Sequence, residues 1–326
     1  MTSAAVAPIC LFVYARPSET RATVTSLQGN SLSQNSDLYI FSDAARPGKE
    51  SEVQAVREYI RTIDGFKSVT IHEASTNQGL AQSIILGVTA ILESHGKVIV
   101  LEDDIMTSQN FLAFMNQALE FYSCNSKVFG ISGFAYPMES LASHPHDNVF
   151  GYRCYSWGWA TWLDRWKLVD WGVRDFSTFQ SRKDIQKHFN RGGSDLTPML
   201  TKQMAGRINS WMIRWVYCQF QYGMLDVYPR ISKTRNIGFG NAATHTDCGE
   251  NRYLTLLDPG VTTDFKLDPN PVVDPRIQRE YESMHSRFRR AFYKTLDQLP
   301  LSLRRIYARY QLAKLQKLST QFRNRN

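Results

Sequence analysis

The chain has 326 residues, of which 43% are hydrophobic and 21% are charged, and this composition is typical of a soluble globular protein with one large domain or two smaller ones. No apolar run approaches the roughly 20 residues that a membrane-spanning helix needs, so no membrane span is predicted in this sequence. The five cysteines are odd in number, spread along the chain and form no C-x-x-C pair, so neither a disulfide framework nor a zinc site is indicated, and a cytoplasmic location is predicted.

The first hundred residues alternate between short apolar runs and helical patterns. Four strands are predicted, at 9–15, 37–43, 68–74 and 97–103, and a helical pattern fills each gap between them. A repeat of this kind implies right-handed crossovers, which produce a parallel sheet with helices on both faces. The sequence therefore predicts an α/β fold with a Rossmann-like, mostly parallel sheet and a C-terminal helical tail.

Each predicted helix has a start signal or an apolar stripe. Ser18 is predicted to cap the first helix, and Thr107 or Ser108 the helix after the fourth strand. The apolar stripe of the second helix is Val53, Val56, Ile60 and Ile63. That of the third is Leu80, Ile84, Ile85, Val88 and Ile91 or Leu92, and that of the fourth is Phe111, Met115, Leu119 and Tyr122. These stripes predict helices that bury one face against the sheet.

Polar residues follow every predicted strand. They are Arg16 after the first, Asp43 after the second, Glu73 and Asn77 after the third, and Glu102, Asp103 and Asp104 after the fourth. In open α/β sheets, ligands bind beyond the carboxyl ends of the strands. Topology alone therefore predicts that these side chains gather at one edge of the sheet.

The three adjacent carboxylates Glu102, Asp103 and Asp104 are the strongest chemical signal. Two unit charges 4 Å apart repel by roughly 4 kcal/mol at an effective dielectric of about 20, so the triplet is costly unless a cation binds. In extended chain Glu102 and Asp104 point to one side and Asp103 to the other. Mg²⁺ and Mn²⁺ bind through one or two carboxylates plus substrate phosphates, which favours a nucleotide diphosphate as the ligand. The alternative is a solvated acidic loop before the next helix.

The segment VLEDDI after the fourth strand, with YARP and FSDA upstream and NQGLAQS before the third helix, resembles the GT-A glycosyltransferases. The resemblance is to the N-acetylglucosaminyltransferase I type and the related bacterial family 2 enzymes, and it covers about residues 8 to 250. It implies a GT-A fold in which the triplet is the DxD-type motif. Asp104 would be the chief ligand of Mn²⁺ or Mg²⁺, with Glu102 and Asp103 near the nucleotide ribose and sugar.

The same resemblance assigns the upstream residues to the nucleotide. It implies that Arg16 and Asp43 frame the nucleotide base, and that Asn77 and Gly79 lie beside it. Each match is short, but their order on four successive strand ends makes the set more specific than any single one.

All seven tryptophans lie within 59 residues, several of them in the stretch YSWGWATWLDRW. Aromatic faces complement the C–H faces of pyranose rings, and glycine lets backbone approach a ligand closely. Aromatic clusters are more often core than binding site. The resemblance nevertheless implies that the glycine loop faces donor sugar and acceptor, so Trp157, Gly158, Trp159 and Trp211 are predicted sugar-binding residues.

A second downstream stretch, NIGFGNAATHT, contains one histidine. A lone histidine is usually structural, but the resemblance places His245 where many GT-A enzymes carry a histidine that completes the metal site. Gly238 and Gly240 would lie in a loop that closes over the donor. Lys233 and Arg235, just before the stretch, are predicted to neutralise the leaving diphosphate.

The general base of an inverting transfer is not evident. The resemblance expects an acid beside a tryptophan, but the comparable stretch RINSWMIRW has Asn209 and Ser210 there. An amide does not accept a proton, and losing general-base help costs roughly 10² to 10⁴ in rate. Asp164, Asp170 and Asp195 are open substitutes.

The predicted organisation is a glycosyltransferase domain at 1–258, with a nucleotide-binding half at 1–124 and an acceptor half at 125–258, then a linker and basic helical extension at 259–326. From residue 276 onward 13 Lys or Arg stand against 3 Asp or Glu. This tail is predicted either to contact an anionic membrane surface or to pack on the body as a solvated helix. No nucleic-acid motif accompanies the charge, so nucleic acid is not a predicted partner.

The sequence thus predicts a metal-dependent hexosyl- or N-acetylhexosaminyltransferase that moves a sugar from a nucleotide-diphosphate donor, with UDP favoured, to a glycan or glycolipid acceptor with inversion. One alternative is a weakly active or inactive subunit that binds nucleotide-sugar or carbohydrate, which Asn209 favours. The other is a nucleotidyltransferase, although such enzymes normally carry a Gly-rich loop after the first strand and YARPSETR has no glycine.

Overall fold

A computed structural model describes residues 6–238, 253 and 255–323. The strands in this part are β1 (Ile9–Val13), β2 (Asp37–Ser42), β3 (Ser68–Glu73), β4 (Lys97–Glu102), β5 (Ile105–Thr107), β6 (Val128–Ser132), β7 (Asn148–Gly151), β8 (Trp159–Trp162), β9 (Leu225–Pro229) and β10 (Thr234–Asn236). The helices are α1 (Pro17–Gln28), α2 (Glu50–Ile60), α3 (Leu80–His95), α4 (Phe111–Phe121), α5 (Leu163–Trp166), α6 (Phe176–Ser181), α7 (Lys183–Phe189), α8 (Leu196–Met204), α9 (Trp211–Gln221), α10 (Pro275–Met284), α11 (Arg287–Asp297) and α12 (Leu301–Arg323).

Eight strands form one sheet in the order β3-β2-β1-β4-β8-β6-β9-β7. Strands β1 to β4 are mutually parallel, β6 and β9 run in the same direction, and β7 and β8 are antiparallel to their neighbours. Strands β5 and β10 pair separately as a two-stranded antiparallel sheet. The predicted α/β class, with a mostly parallel sheet, flanking helices and a C-terminal helical stretch, is confirmed, and all four predicted strands are present.

The central strands are buried on both faces, which explains their continuous apolar sequence. Along β4, Ile99 and Leu101 pack into one hydrophobic cluster with α1, α2 and α4. Val98 and Val100 point to the opposite face and pack with α3 and α9. The alternation of the pleat therefore divides one apolar run between two cores.

The predicted helix stripes are largely buried, but the predicted caps are wrong. Helix α1 begins at Pro17, because the fixed φ of proline suits the first helical position. Ser18 is therefore already inside the helix, and its hydroxyl contacts Glu19. Thr107 belongs to β5, and Asn110, two residues after Ser108, precedes α4.

The segment between β10 and α10 packs against the sheet domain where it is described. Phe265 and Leu267 are buried in the same cluster as β4, and the Tyr122 hydroxyl donates to the carbonyl of Asp268. Helix α10 buries Ile277 and Tyr281 beside residues of the sheet domain. The division at residue 258 and the two halves of the domain stay predictions.

Among the helices that the structure describes, none combines the length and the apolar character that crossing a bilayer requires.

A buried ion pair lies where α10 meets the body. Arg153 Nη1 lies 3.0 and 2.9 Å from the two carboxylate oxygens of Asp195. Burial by itself would raise the pKa of Asp195, but the charges of Arg153 and His285 outweigh it and lower the pKa to about 2. Because the folded-state pKa lies below the unfolded value, the pair stabilises the fold above about pH 4 and loses that contribution as the pH falls toward 2.

We predict that Asp195→Asn lowers the free energy of unfolding at pH 7 by about 3–5 kcal/mol, because it leaves Arg153 buried without its charge partner. The variant should also lose the step of about 2 kcal/mol that wild type shows between pH 4 and pH 2. Urea unfolding across this range measures both. Asp184→Asn is the matched control, since the pKa of Asp184 is also lowered to about 2 but its ion pair with Arg182 is exposed. Equal losses in the two variants would contradict the prediction.

Candidate functional site

The carboxyl ends of β1, β2 and β4 bring the predicted polar residues to one edge of the sheet. Arg16 Nη1 lies 2.6 Å from Asp104 Oδ2 and 3.7 Å from Asp103 Oδ1. All three side chains are largely buried. Arg16 immediately precedes α1 and Asp103 follows β4, so the parallel pairing of β1 with β4 positions the guanidinium over the acids.

The backbone of the first crossover holds Asp103. The Tyr14 amide donates to Asp103 Oδ2 at 3.1 Å, and the Thr23 hydroxyl donates to the Asp103 carbonyl at 2.8 Å. Burial and the charge of Asp104 raise the pKa of Asp103 to about 7, although Arg16 opposes this rise. Asp103 is therefore fixed in position but only partly ionised near neutral pH.

Asp104 is covered by the chain that follows β10. The Ile237 amide donates to the Asp104 carbonyl at 2.8 Å, and the Asn236 side chain hydrogen-bonds the carboxylate. Gly238 lies so close that a Cβ there would overlap Asp104 Oδ2. Burial raises the pKa of Asp104, while Arg16 and Asn236 stabilise its charged form.

Glu102 is the last residue of β4 and contacts a different loop. It is partly buried and hydrogen-bonds the side chain of Ser156, in the loop before β8. Burial and the charges of Asp104 and Asp103 together raise the pKa of Glu102 to about 8, although Arg16 opposes this rise. The triplet thus carries less than its full charge near pH 7, and a bound cation would release protons from it.

Asp43 organises the start of α3. Its Oδ1 accepts from the Gln78 amide at 2.9 Å, and its Oδ2 accepts from the Gly79 amide at 2.8 Å and from Asn77 Nδ2 at 3.1 Å. Gly79 has φ of +74°, a left-handed conformation that favours glycine. The structure therefore brings Asp43, Asn77 and Gly79 together, as the sequence predicts.

The tryptophan loop divides between the site and the core. Gly158 directly precedes β8, whose Trp159 pairs with Val100 of β4. The Trp157 carbonyl accepts from the Thr234 hydroxyl at 2.7 Å, so this loop touches β10. Trp159 and Trp211 are buried and stack at 4.9 Å within the core beneath the sheet. Their placement is that of core residues, and Trp157 and Gly158 are nearer to the small sheet.

The predicted cations near β10 differ in their surroundings. Lys233 is buried, with Nζ 2.6 Å from Asp258 Oδ2 and 4.5 Å from the Phe265 ring centre, and burial lowers its pKa. Arg235 is exposed on β10 opposite Met106 of β5. Gly240 and His245 lie outside the described residues.

The residues at the expected position of the base cap a helix. The Ser210 hydroxyl accepts from the Ile213 amide at the start of α9, and Asn209 Oδ1 accepts from Arg214 at 3.3 Å. Helix α9 leads into β9, so its first turn lies on the same side of the sheet as the carboxyl end of β4. The roles predicted for Asn209 and Ser210 stay predictions.

The three substitute acids are each occupied. Asp164 pairs with its neighbour Arg165, Asp170 pairs with Arg174, and Asp195 pairs with Arg153. Tyr14, Ser156 and Asn236 are the contacts that sequence reasoning missed. No periodic pattern distinguishes these three residues. Their position next to the recognised motifs is the one sequence feature that could have indicated contact with the acids.

The described side chains are compatible with a divalent cation that takes one carboxylate ligand from the protein and its remaining ligands from water and phosphate. In the part of the chain that the structure describes, no three His, Cys, Asp or Glu side chains come together as ligands of one ion. Asp104 Oδ1, however, is buried and has no hydrogen-bond partner among the described residues. Mg²⁺ and Mn²⁺ bind through one or two carboxylates with water and phosphate oxygens, so Asp104 fits such an ion.

A cavity of about 590 Å³ lies at the opposite edge of the sheet. It is lined by Lys127 and Leu225, which stand at the starts of β6 and β9, and by Tyr152 after the antiparallel β7. Ligands of parallel sheets bind at the carboxyl ends of the strands, so this cavity is separate from the candidate site.

No protein-family model matches the chain, and no curated protein matches it. Among solved structures, the chain is similar to a mannosyltransferase from Pyrobaculum calidifontis in complex with GDP-Man and Mn²⁺, with 13% identity, 48% of this chain and 44% of that chain covered, and a TM-score of 0.35. It is also similar to S. aureus TarS, with 9% identity, 68% and 36% coverage and a TM-score of 0.37. A third similar structure is the galactosyltransferase LgtC in complex with donor and acceptor sugar analogs, with 8% identity, 67% and 72% coverage and a TM-score of 0.37.

The matched regions span less than half of the first two proteins. At these identities and TM-scores the matches establish neither family nor activity. The strand order and strand directions of the sheet define the fold class.

We predict that Gly158→Ala lowers the free energy of unfolding by about 2–4 kcal/mol. Gly158 has φ of +72°, and an added Cβ would lie 2.8 Å from Thr234 Cγ2 on β10, so backbone strain and overpacking combine. Gly206→Ala is the matched control, because Gly206 has φ of +67° with open space around it, and about 1 kcal/mol is expected from strain alone. Urea unfolding that gives equal losses for both variants would contradict the close approach of the loop to β10.

Proposed function

We propose that the chain is a glycosyltransferase that takes a sugar from a nucleotide-diphosphate donor, a UDP-sugar, and transfers it to a glycan or glycolipid acceptor. In this proposal the sugar is a hexose or N-acetylhexosamine and the transfer inverts the anomeric centre. The observation that carries the proposal is the buried carboxylate of Asp104, which has one oxygen on Arg16 and the other without a partner among the described residues, at the ligand-binding edge of the sheet.

The chain's own residues have separable roles in this proposal. Asp104, whose backbone carbonyl accepts from the Ile237 amide, would hold Mn²⁺ or Mg²⁺, and that ion would supply Lewis-acid neutralisation of the departing diphosphate. Asp103, held by the Tyr14 amide, would orient the ribose. Arg235 is exposed on β10 and adds positive charge beside the diphosphate.

The nucleotide base would bind at the edge of β1 and β2 in this proposal. Arg16 lies at this edge, with its guanidinium on Asp104 and Asp103, and would frame the nucleotide base from there. Asp43 already accepts bonds from the loop at Asn77 and Gly79, so its contribution is to shape that loop.

Asn209 favours a second candidate, a subunit that binds nucleotide-sugar with little or no turnover. General-base help is worth about 10² to 10⁴ in rate, and neither the amide nor the helix-capping hydroxyl of Ser210 supplies it. Calorimetry with UDP and Mn²⁺, combined with a donor-consumption assay, separates the two. Binding without UDP release from any UDP, GDP, CMP or dTDP sugar would support the second candidate.

We predict that Asp104→Asn abolishes donor turnover, with a loss of at least about 100-fold, while the fold is kept. The fold should be kept because the amide has nearly the same shape as the carboxylate and Arg16 still has Asp103 as a charge partner at 3.7 Å. The measurement is UDP release from a panel of UDP-sugars with Mn²⁺ and a glycan mixture. Asp37→Asn, a carboxylate at the opposite end of β2, is the control and should turn over like wild type. Undiminished UDP release by the Asp104 variant would overturn the metal assignment.

We further propose that the protein is cytoplasmic and contacts an anionic membrane surface through α11 and α12. Between residues 287 and 323 the sequence has ten Lys or Arg and one Asp. The exposed apolar side chains of this region are Phe288, Phe292, Leu299, Leu303, Ile306 and Tyr310. The other face of the two helices buries Tyr293, Leu296, Leu315 and Leu318. A basic helix pair with an uncovered apolar face has the character of an interfacial membrane element.

We predict that Phe288→Glu combined with Ile306→Glu lowers binding to vesicles that contain phosphatidylglycerol by at least about tenfold, because two apolar side chains no longer enter the interface. Co-sedimentation measures the bound fraction. Val261→Glu is the matched control, since Val261 is 83% exposed and Phe288 is 85% exposed. Unchanged binding of the double variant, or equal loss in the control, would remove the membrane contact from the proposal.

A further inference from the structure

Arg16 occupies the place where a cation is needed. Its side chain is only 16% exposed, and Nη1 lies 2.6 Å from Asp104 Oδ2 and 3.7 Å from Asp103 Oδ1. Burial would lower the pKa of Arg16, but the charges of Asp103 and Asp104 outweigh it and hold that pKa above its ordinary value. The crowded acids therefore have an internal counter-ion that belongs to the chain itself.

The Asp104 carboxylate is satisfied on one side only. Oδ2 is bound by Arg16, while Oδ1 is buried and has no hydrogen-bond partner among the described residues. Gly238 covers the same pair, and a Cβ at this position would lie 2.9 Å from Arg16 Nη1 as well as overlapping the carboxylate. A buried carboxylate oxygen without a partner is costly unless a ligand completes it.

A divalent cation on Asp104 and the guanidinium of Arg16 compete for one carboxylate. Like charges a few ångströms apart repel strongly where water is largely excluded, and Asp104 has only two oxygens to offer. Arg16 has a long side chain at the start of α1, and the Thr20 amide fixes its backbone carbonyl. A change of rotamer would therefore move the guanidinium without moving the helix.

We infer that Arg16 is a resident counter-ion that a divalent cation displaces from Asp104. The inference rests on the proposed function, because it concerns the cation of that site. Without the cation, Arg16 neutralises the acids and keeps the edge of the sheet folded. With the cation bound, Arg16 leaves Asp104 and its guanidinium is available to pair with phosphate oxygens of the donor.

The first experiment measures Mn²⁺ binding without nucleotide, by electron paramagnetic resonance of free Mn²⁺, in wild type, Arg16→Ala and Arg16→Gln. Removal of the competing cation should tighten Mn²⁺ binding at least about tenfold, and should lower the melting temperature of the metal-free protein. Saturating Mn²⁺ should shrink that difference in melting temperature. Arg16→Gln removes the charge but keeps a polar side chain with hydrogen-bond donors, so it replaces Arg16→Ala if the smaller residue prevents folding.

Arg61→Ala is the matched control. Arg61 also lies 2.6 Å from a carboxylate, that of Glu73, but its side chain is 53% exposed. Its removal should leave Mn²⁺ affinity unchanged. Equal or weaker Mn²⁺ binding in both Arg16 variants would overturn the inference, and so would the absence of Mn²⁺ binding in every variant.

A second measurement follows Arg16 directly. The Nε–Hε resonance of Arg16, assigned by its loss in Arg16→Gln, should shift as diamagnetic Mg²⁺ is titrated into the nucleotide-free protein. A resonance that does not move at saturating Mg²⁺ would overturn the displacement.

Donor turnover is scored separately, so the two proposals fail differently. Mn²⁺-dependent UDP release by wild type, with unchanged Mn²⁺ affinity in the Arg16 variants, would remove the displacement and leave the transferase. Tighter Mn²⁺ binding in the Arg16 variants, with no donor consumed by any variant, would keep the displacement and remove the transferase.

Discussion

The balance of charge at the end of β4 is the constraint on which the rest of the site depends. Four buried apolar residues, Val98 to Leu101, lead directly into three acids, so negative charge accumulates where the surrounding protein excludes most water. Burial raises the pKa of each acid, and Arg16 supplies the opposing charge. Placing three acids where water is largely excluded costs free energy. Partial protonation and one buried ion pair reduce this cost, and the two hydrophobic cores on either side of the sheet offset the rest.

Each acid has a different environment, because β4 ends at Glu102 and the chain turns at Asp103 and Asp104. Glu102 turns to Ser156 before β8, Asp103 is held by the backbone of the first crossover, and Asp104 lies under the chain after β10. Three consecutive carboxylates therefore contact three separate parts of the fold. This division allows one of them to bind a ligand while the others keep their structural contacts.

The parts of this architecture that depend on local pattern could be predicted from the sequence. The four parallel strands, the buried stripes such as Val53, Val56 and Ile60, and the gathering of Arg16, Asp43 and the acids at one edge all follow from periodicity and topology. The exact starts of helices were harder to predict. Both Pro17 and Ser18 are helix-start signals, and α1 begins at Pro17.

Contacts between distant segments could not be predicted. Strand β8 inserts antiparallel between β4 and β6, and no pattern in WATW distinguishes an inserted strand from a loop. The stacking of Trp159 on Trp211 is likewise a packing result, since an indole has the same sequence signature in a core and at a sugar site. The direct bond from Arg16 to Asp104 depends on a rotamer, which sequence reasoning does not determine.

The pairing of β5 with β10 has a consequence for how the molecule assembles. It joins a segment just after the acids to one far later in the chain, and the entropy of closing so long a loop must be overcome before its hydrogen bonds contribute. The four mutually parallel strands β1 to β4 all lie before residue 103, whereas the chain that covers Asp104 follows β10. During synthesis the acidic edge therefore leaves the ribosome before the chain that covers it. The edge is complete only after the residues that follow β10 have also left the ribosome.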